Sequence, residues 1–241
     1  MNSREYSEIS TWGGFVHIHR RRLTDVEISL GLMSEHEQKR AEAYAAETDR
    51  QRYIAANTFL RDVLSRYLHK EPAEIVFGYS DFYNKPLLAG DDLHFNLSYR
   101  GEWALLGVSD KVIGVDIEKH IVINDMEGFA KNFFSDDEIA EWLNGSNPDS
   151  NIKNFFRLWT LKEAYIKAMG KGLSYPLQEF SVIPAVKWGI ENSKSSRDFV
   201  LDLPASEDGC IPLLETSSLS WGFKELEAPE GYAAAVCYEI A

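Results

Sequence analysis

The period of apolar and polar residues changes several times along the chain, and each change marks an expected element. Gly13–Leu23 (GGFVHIHRRRL) alternates like a strand, with His17 and His19 on one face. Two histidines so placed resemble metal ligands, but a solvated strand face is the expectation. From Met33 to Leu68 the period is helical, in two pieces, with Thr48 and Asp49 as the expected N-cap of the second. Tyr53, Ala56, Phe59, Leu60, Val63, Leu64 and Tyr67 form its apolar stripe. Arg52 falls inside that arc in the first turn, where rim residue and anion ligand both stay open.

Glu74–Ser80 reads as a short strand, Asp81–Asp92 as turn-rich, and Leu93–Ser109 as a hairpin-like pair about Arg100–Gly101. Beyond it the chain predicts helices between Asn124 and Met169, with a loop at Asn144–Asn151 (NGSNPDSN). Strands follow at Phe180–Trp188, Asp198–Leu203, Ser218–Leu226 and Tyr232–Ile240. The second half repeats the element order of the first without a residue-level repeat. This predicts two α+β halves, 1–118 and 119–241, meeting in a seam, a common place for a ligand.

Val112–His120 (VIGVDIEKH) is the strand with chemistry in it. Alternation sends Val115 and Ile117 to one face and Asp116 and Glu118 to the other, with the carboxylate-bearing Cα atoms roughly 6.6 Å apart. The segment Asn151–Gly172 (NIKNFFRLWTLKEAYIKAMGKG) is strongly helical, stopped by Gly170 and Gly172. Phe155, Leu158, Trp159, Leu161, Tyr165, Ile166 and Met169 cover one face, and Lys153, Arg157, Glu163, Lys167 and Lys171 the other. Glu163 and Lys167, at i and i+4, form either a surface pair or part of a site. Joined to Asp116 and Glu118, Glu163 completes a set of oxygens suited to Mg²⁺, while the surrounding cations suit phosphate. Lys162 falls in the apolar arc and needs a carboxylate or carbonyl partner, or room to snorkel.

Charge and composition narrow the picture. The net charge of −13 over 241 residues argues against non-specific nucleic-acid binding. Cys210 and Cys237 lack metal-ligand spacing, and a reduced chain is the simplest expectation, with one disulfide left open. The start, MNSREYSEIS, is not a secretory signal, and no apolar run reaches the ~18 residues of a membrane span. A soluble cytoplasmic protein is expected.

Asn84–Pro86 (NKP), Phe95–Tyr99 (FNLSY), Ile113–Glu118 (IGVDIE), Phe133–Glu138 (FFSDDE) and Leu158–Leu173 (LWTLKEAYIKAMGKGL) have a familiar order and spacing. From about residue 34 onward the chain resembles the 4′-phosphopantetheinyl transferases of the two-halved Sfp type. The resemblance implies an α+β fold of two similar halves related by a pseudo-two-fold axis, with coenzyme A and Mg²⁺, or Mn²⁺ instead, in the seam. It implies Asp116, Glu118 and Glu163 as metal ligands, with Asp116 also meeting the cofactor and Glu163, Lys167 and Asp116 carrying catalysis. Phosphate- and adenine-binding positions fall on Arg40, Arg52, Lys85, Pro86 and Ser98. Tyr99 departs from the family's usual His at a position contacting a coenzyme A phosphate, so weaker or less pH-dependent binding is expected. Glu37 and Glu47 stand where members are often basic. The implied reaction moves phosphopantetheine to a serine of an apo acyl or peptidyl carrier protein and releases 3′,5′-ADP. Glu163, directly or through a metal-bound water, takes the serine proton, and Lys167 stabilises the leaving group. Lys153, Arg157 and apolar residues near Phe133 and Phe134 offer a carrier surface, although both phenylalanines are expected in the core. A monomer, with no nucleic-acid or membrane partner, is expected. A Mg²⁺-dependent coenzyme A or nucleotide pyrophosphohydrolase and a non-catalytic coenzyme A-binding module are the competing readings.

Overall fold

Strand alternation sorts the molecule into layers. The structure, a computed structural model, describes residues 6–10, 14–80, 85–88, 90, 92–143, 148–182, 198–202 and 220–240. Strands β1 (Tyr6–Ser10), β2 (Phe15–Arg22), β5 (His94–Arg100) and β6 (Trp103–Ser109) form an antiparallel sheet ordered β1-β2-β6-β5. Strands β7 (Ile113–Lys119), β8 (Asp198–Asp202), β9 (Ser220–Glu225) and β10 (Tyr232–Glu239) form a second, ordered β7-β10-β9-β8. Val16, Ile18 and Leu105 of the first sheet share a core with Ile113, Val115, Ile117, Ala234 and Val236 of the second. Each outer face carries a long helix. α2 (Glu47–Leu68) lays Ala56, Phe59, Leu60, Val63 and Leu64 on Phe95, Ala104, Leu106 and Val108. α5 (Pro148–Met169) packs Phe155, Leu158, Leu161 and Ala164 into a cluster with Phe223, Ala235 and Cys237. Burying each large side chain contributes roughly 1.5–3 kcal/mol, which holds the stripe and the alternation to these faces.

The helical piece before α2 is α1 (Glu35–Glu42), and α3 (Met126–Phe133) and α4 (Asp136–Leu143) precede α5. Several expectations need correction. α2 starts earlier than expected, with Ala46 as N-cap, so Thr48 and Asp49 lie in its first turn, where Asp49 favours the helix dipole. Residues 148–151, expected in a loop, open α5, because proline is well tolerated in a first helical turn. The turn-rich stretch yields β4 (Pro86–Leu88), which pairs with β3 (Phe77–Tyr79). Gly13–Leu23 is not the opening strand, since β1 precedes and pairs with it. Nor is the His17/His19 face solvated: Tyr67 of α2 covers it, its hydroxyl 2.7 Å from His17 Nδ1 and 2.8 Å from His19 Nε2. Phe180–Val182 is not strand; the rest of that expected strand, and Cys210, lie outside the described residues. Cys237 is buried and free. β7, placed by the sequence at the end of the first half, is hydrogen-bonded into the second sheet through β10.

A residue-level repeat also emerges, against expectation. In α1, Ser34 and Glu37 form a capping box, and buried Glu37 receives Arg61 of α2 at 2.5 Å. Ahead of α4, the Ser135 backbone N–H donates to Glu138 at 2.9 Å, and buried Glu138 receives Lys162 of α5 at 2.6 Å. Acid and base are 24 residues apart in both cases. The two short helices have eight residues each and the two long ones 22.

Candidate active site

Gly114 sets the site's geometry. A Cβ there would lie 2.0 Å from the Ala164 carbonyl oxygen and 2.3 Å from the Ala168 nitrogen. Only a residue without a side chain lets α5 come this close to β7, and the small Ala164 and Ala168 complete the approach. The next residues on the same face of β7 are Asp116 and Glu118, and α5 brings Glu163 and Lys167 over them.

Asp116 is 2% exposed. Its Oδ1 accepts from Lys167 Nζ at 2.5 Å and from the Ser98 hydroxyl at 2.9 Å, and Lys167 also donates to Ser98 at 2.9 Å. β5 and β7 run side by side here, and side chains take the place of a ladder. Val115 N–H donates to Asn96 Oδ1 at 2.8 Å and Ile117 N–H to Ser98 Oγ at 3.4 Å. Each otherwise orphaned backbone donor thus finds a β5 side chain.

The carboxylates are short of positive charge. Burial pushes Glu163 up to about 7; Lys167 opposes the rise, and Asp116 and Glu118 add to it. Glu118 is raised as well, first by burial and then by Asp116, despite a 3.1 Å ion pair with Arg100. Asp116 Oδ2 and Glu163 Oε1 are buried and find no hydrogen-bond partner among the described residues. Buried oxygens without donors are costly, and two of them at one spot indicate a missing counter-charge. Among the described residues, however, no three His, Cys, Asp or Glu side chains form a closed metal cage. The Lys167 ammonium sits on Asp116 instead. An open set of hard oxygens still fits a cation that keeps waters and takes its remaining ligands from a phosphate substrate.

Beside this centre lies a cavity of about 160 Å³, lined by Glu37, Arg40, Tyr53, Asn57, Leu60, Phe77, Tyr79, Pro86, Phe95, Asn96, Leu97 and Tyr99. Arg40 lies over the Tyr53 ring, and the Tyr99 hydroxyl is 3.4 Å from that of Tyr44. Burial raises the Tyr99 phenol well above its usual range, and Tyr53 to about 12, so both stay neutral donors. Glu37 on this wall is already neutralised by Arg61.

The structure therefore gathers Asp116, Glu118, Glu163, Lys167 and Ser98 in one centre and Arg40, Pro86 and Tyr99 in the adjoining cavity. Lys85 stands between them. Its ammonium donates to the Lys167 carbonyl at 2.6 Å, satisfying the C-terminal end of α5, and burial beside Lys167 lowers it to about 8. Arg52 is not brought to either place. It pairs with Asp49 at 2.9 Å and lines a separate cavity of about 350 Å³ with Leu23, Val26, Ile28 and Glu102. Arg157 is likewise taken, by Glu225 at 2.5 Å, whereas Lys153 is exposed. Phe134 is buried, and Phe133 packs edge-on against Trp159, both in the core of the second half. Sequence reasoning passed over Asn96, Arg100, Glu138 and the cavity tyrosines Tyr53 and Tyr79. Only Gly114, a glycine inside a strong strand pattern, carried a readable signal.

Known proteins resemble the chain over most of its length. Residues 112–237 match the model of the 4′-phosphopantetheinyl transferase superfamily, and residues 22–111 that of the 4′-phosphopantetheinyl transferase N-terminal region. The chain is 30% identical over 209 residues to 4′-phosphopantetheinyl transferase Sfp of Bacillus subtilis, covering 86% of this chain and 83% of that protein. It is 32% identical over 215 residues to 4′-phosphopantetheinyl transferase HetI of a Nostoc species, covering 86% and 89%. With 4′-phosphopantetheinyl transferase psf-1 of Bacillus pumilus it shares 34% identity over 204 residues, covering 81% and 80%. A cluster of carboxylates and a lysine at a strand–helix contact, beside a cavity walled by tyrosines, thus sits in a chain that belongs to the 4′-phosphopantetheinyl transferase superfamily.

Proposed function

We propose that the protein transfers the 4′-phosphopantetheine group of coenzyme A to a serine of an apo acyl or peptidyl carrier protein, releasing 3′,5′-ADP. The observation that carries this reading is the pair of buried, partnerless oxygens on Asp116 and Glu163 beside Lys167. Asp116, Glu118 and Glu163 would hold Mg²⁺, or Mn²⁺ in its place, which when bound neutralises the diphosphate of the substrate. Lys167, which donates to Asp116 in this structure, would follow the developing charge on the departing phosphate oxygen and stabilise the leaving group. Glu163, its pKa raised by burial to about 7, is in its ionised form the candidate base for the serine proton. Ser98 fixes the position of Asp116 and Lys167, and with it much of the rate advantage of orientation. The cavity with Arg40, Pro86 and Tyr99 is the proposed seat of the nucleoside end, and Lys85 stands at the border. Arg52 has no part in this proposal.

The repeated capping-box ion pairs and the like order of elements support two halves related by a pseudo-two-fold axis, divided ahead of β7. Release of 3′,5′-ADP tests the reading. It should require both a carrier protein and a divalent cation, and should stop when EDTA is added. Release at an equal rate without any carrier would assign the same carboxylates to a pyrophosphohydrolase.

A further inference from the structure

Lys162 and Glu138 form a fully buried ion pair apart from the carboxylate centre. Lys162 Nζ donates to Glu138 Oε2 at 2.6 Å and to the Phe180 carbonyl at 2.7 Å, and lies 4.1 Å from the centre of the Phe180 ring. Glu138 accepts from Val182 N–H at 2.8 Å and from Ser135 N–H at 2.9 Å. One side of α5 is thereby tied to α4 and to the chain at 180–182.

Helical geometry makes this tie matter for the centre. At about 100° per residue, Lys162 and Ala164 point to nearly opposite sides of α5, and Glu163 lies midway between them. The Ala164 side is pressed onto Gly114 of β7, with no room to shift. The Lys162 side is pinned by the ion pair. A roll of the helix about its axis turns both anchored sides and Glu163 through the same angle, so the two anchors that resist the roll also fix the Glu163 carboxylate relative to Asp116. With a carboxylate about 6 Å from the axis, a roll of ~10° displaces it by ~1 Å. Misplacement on that scale can cost roughly 10²-fold in rate.

We propose that the buried Lys162–Glu138 pair is a positioning device that sets the rotation of α5 and so aims Glu163 at the centre. This inference rests on the transferase reading given above. Lys162 and Glu138 act through Glu163 and touch no reacting atom.

The test is the double variant Glu138→Gln/Lys162→Met, which removes both charges together while keeping shape and an acceptor for Val182. Glu138→Asp, which keeps the charge and only shortens its reach, is the milder second variant. Thermal unfolding and steady-state transfer to an apo carrier protein are measured for both. The double variant should fold and keep KM for coenzyme A within about threefold, with kcat at least tenfold lower; Lys162→Arg, which retains the charge, should recover most of that loss. Glu138→Asp should show a smaller fall in kcat with the same unchanged KM. Wild-type kcat in a folded double variant overturns the proposal, as does failure of both variants to fold, which would make the pair a folding determinant. If the wild-type protein itself transfers nothing, the transferase reading fails instead, so the two failures are distinct.

Discussion

At the scale of single residues, charge and burial decide what the site can do. Glu163 sits among carboxylates and is desolvated, so its amide isostere removes a strained charge without altering shape. Glu163→Gln should therefore leave thermal stability equal or higher, while kcat falls roughly 10²–10⁴-fold; a near-normal kcat would deny Glu163 the role of base. Tyr99 is a neutral phenol beside Arg40. Tyr99→His should lower KM for coenzyme A by about fivefold, or ~1 kcal/mol, and more at pH 6 than at pH 8, where the imidazole is uncharged. An unchanged KM at both pH values would contradict it. His19 offers a separate test away from the site. Burial, His17 and Arg66 hold its pKa at about 4, below the usual 6.5. The folded form resists protonating it, so its contribution is complete above pH 6.5 and is lost as the pH falls toward 4, by up to about 3 kcal/mol. Denaturant unfolding between pH 4 and 7 should show that slope, and His19→Gln should flatten it. Of these residues, Asp116, Glu118, Glu163 and Lys167 were legible because alternation and helical spacing state directions. Glu138, the partner of Lys162, was not, because a contact across 24 residues leaves no periodic trace.

At the scale of elements, the seating of α5 on β7 is the decisive contact. Gly114→Ala places a methyl group against helix backbone at 2.0 Å, which no side-chain rotation relieves. Overpacking of this kind costs about 1–3 kcal/mol and forces the helix outward. A lowered Tm together with at least a tenfold loss of kcat is expected; full activity would show that the close approach is dispensable. The helices were readable from their stripes, whereas their starts were misplaced at both α2 and α5. Ala46 as an N-cap and Pro148 as an opening residue run against the usual side-chain signals, and tertiary packing overrides those signals at helix ends. β1 and β4 escaped notice for a similar reason. Both are short pairings defined by a neighbouring strand rather than by their own pattern.

At the scale of the whole molecule, two sheets back to back, each faced by a long helix, place β5 of one sheet against β7 of the other and so create the centre. That arrangement followed from the repeated order of strands and helices, together with the resemblance carried by the motifs. Arg52, expected at the phosphates, pairs with Asp49 and lines a separate cavity in this structure. No described helix is long and apolar enough to cross a membrane. The central claim is transfer onto a carrier protein under cation control. The measurement that tests it most directly is the intact mass of an apo acyl or peptidyl carrier protein after incubation with this protein, coenzyme A and Mg²⁺. A gain of one phosphopantetheine group, absent with EDTA and absent with Glu163→Gln, is the predicted result. Consumption of coenzyme A with no gain in carrier mass would contradict it.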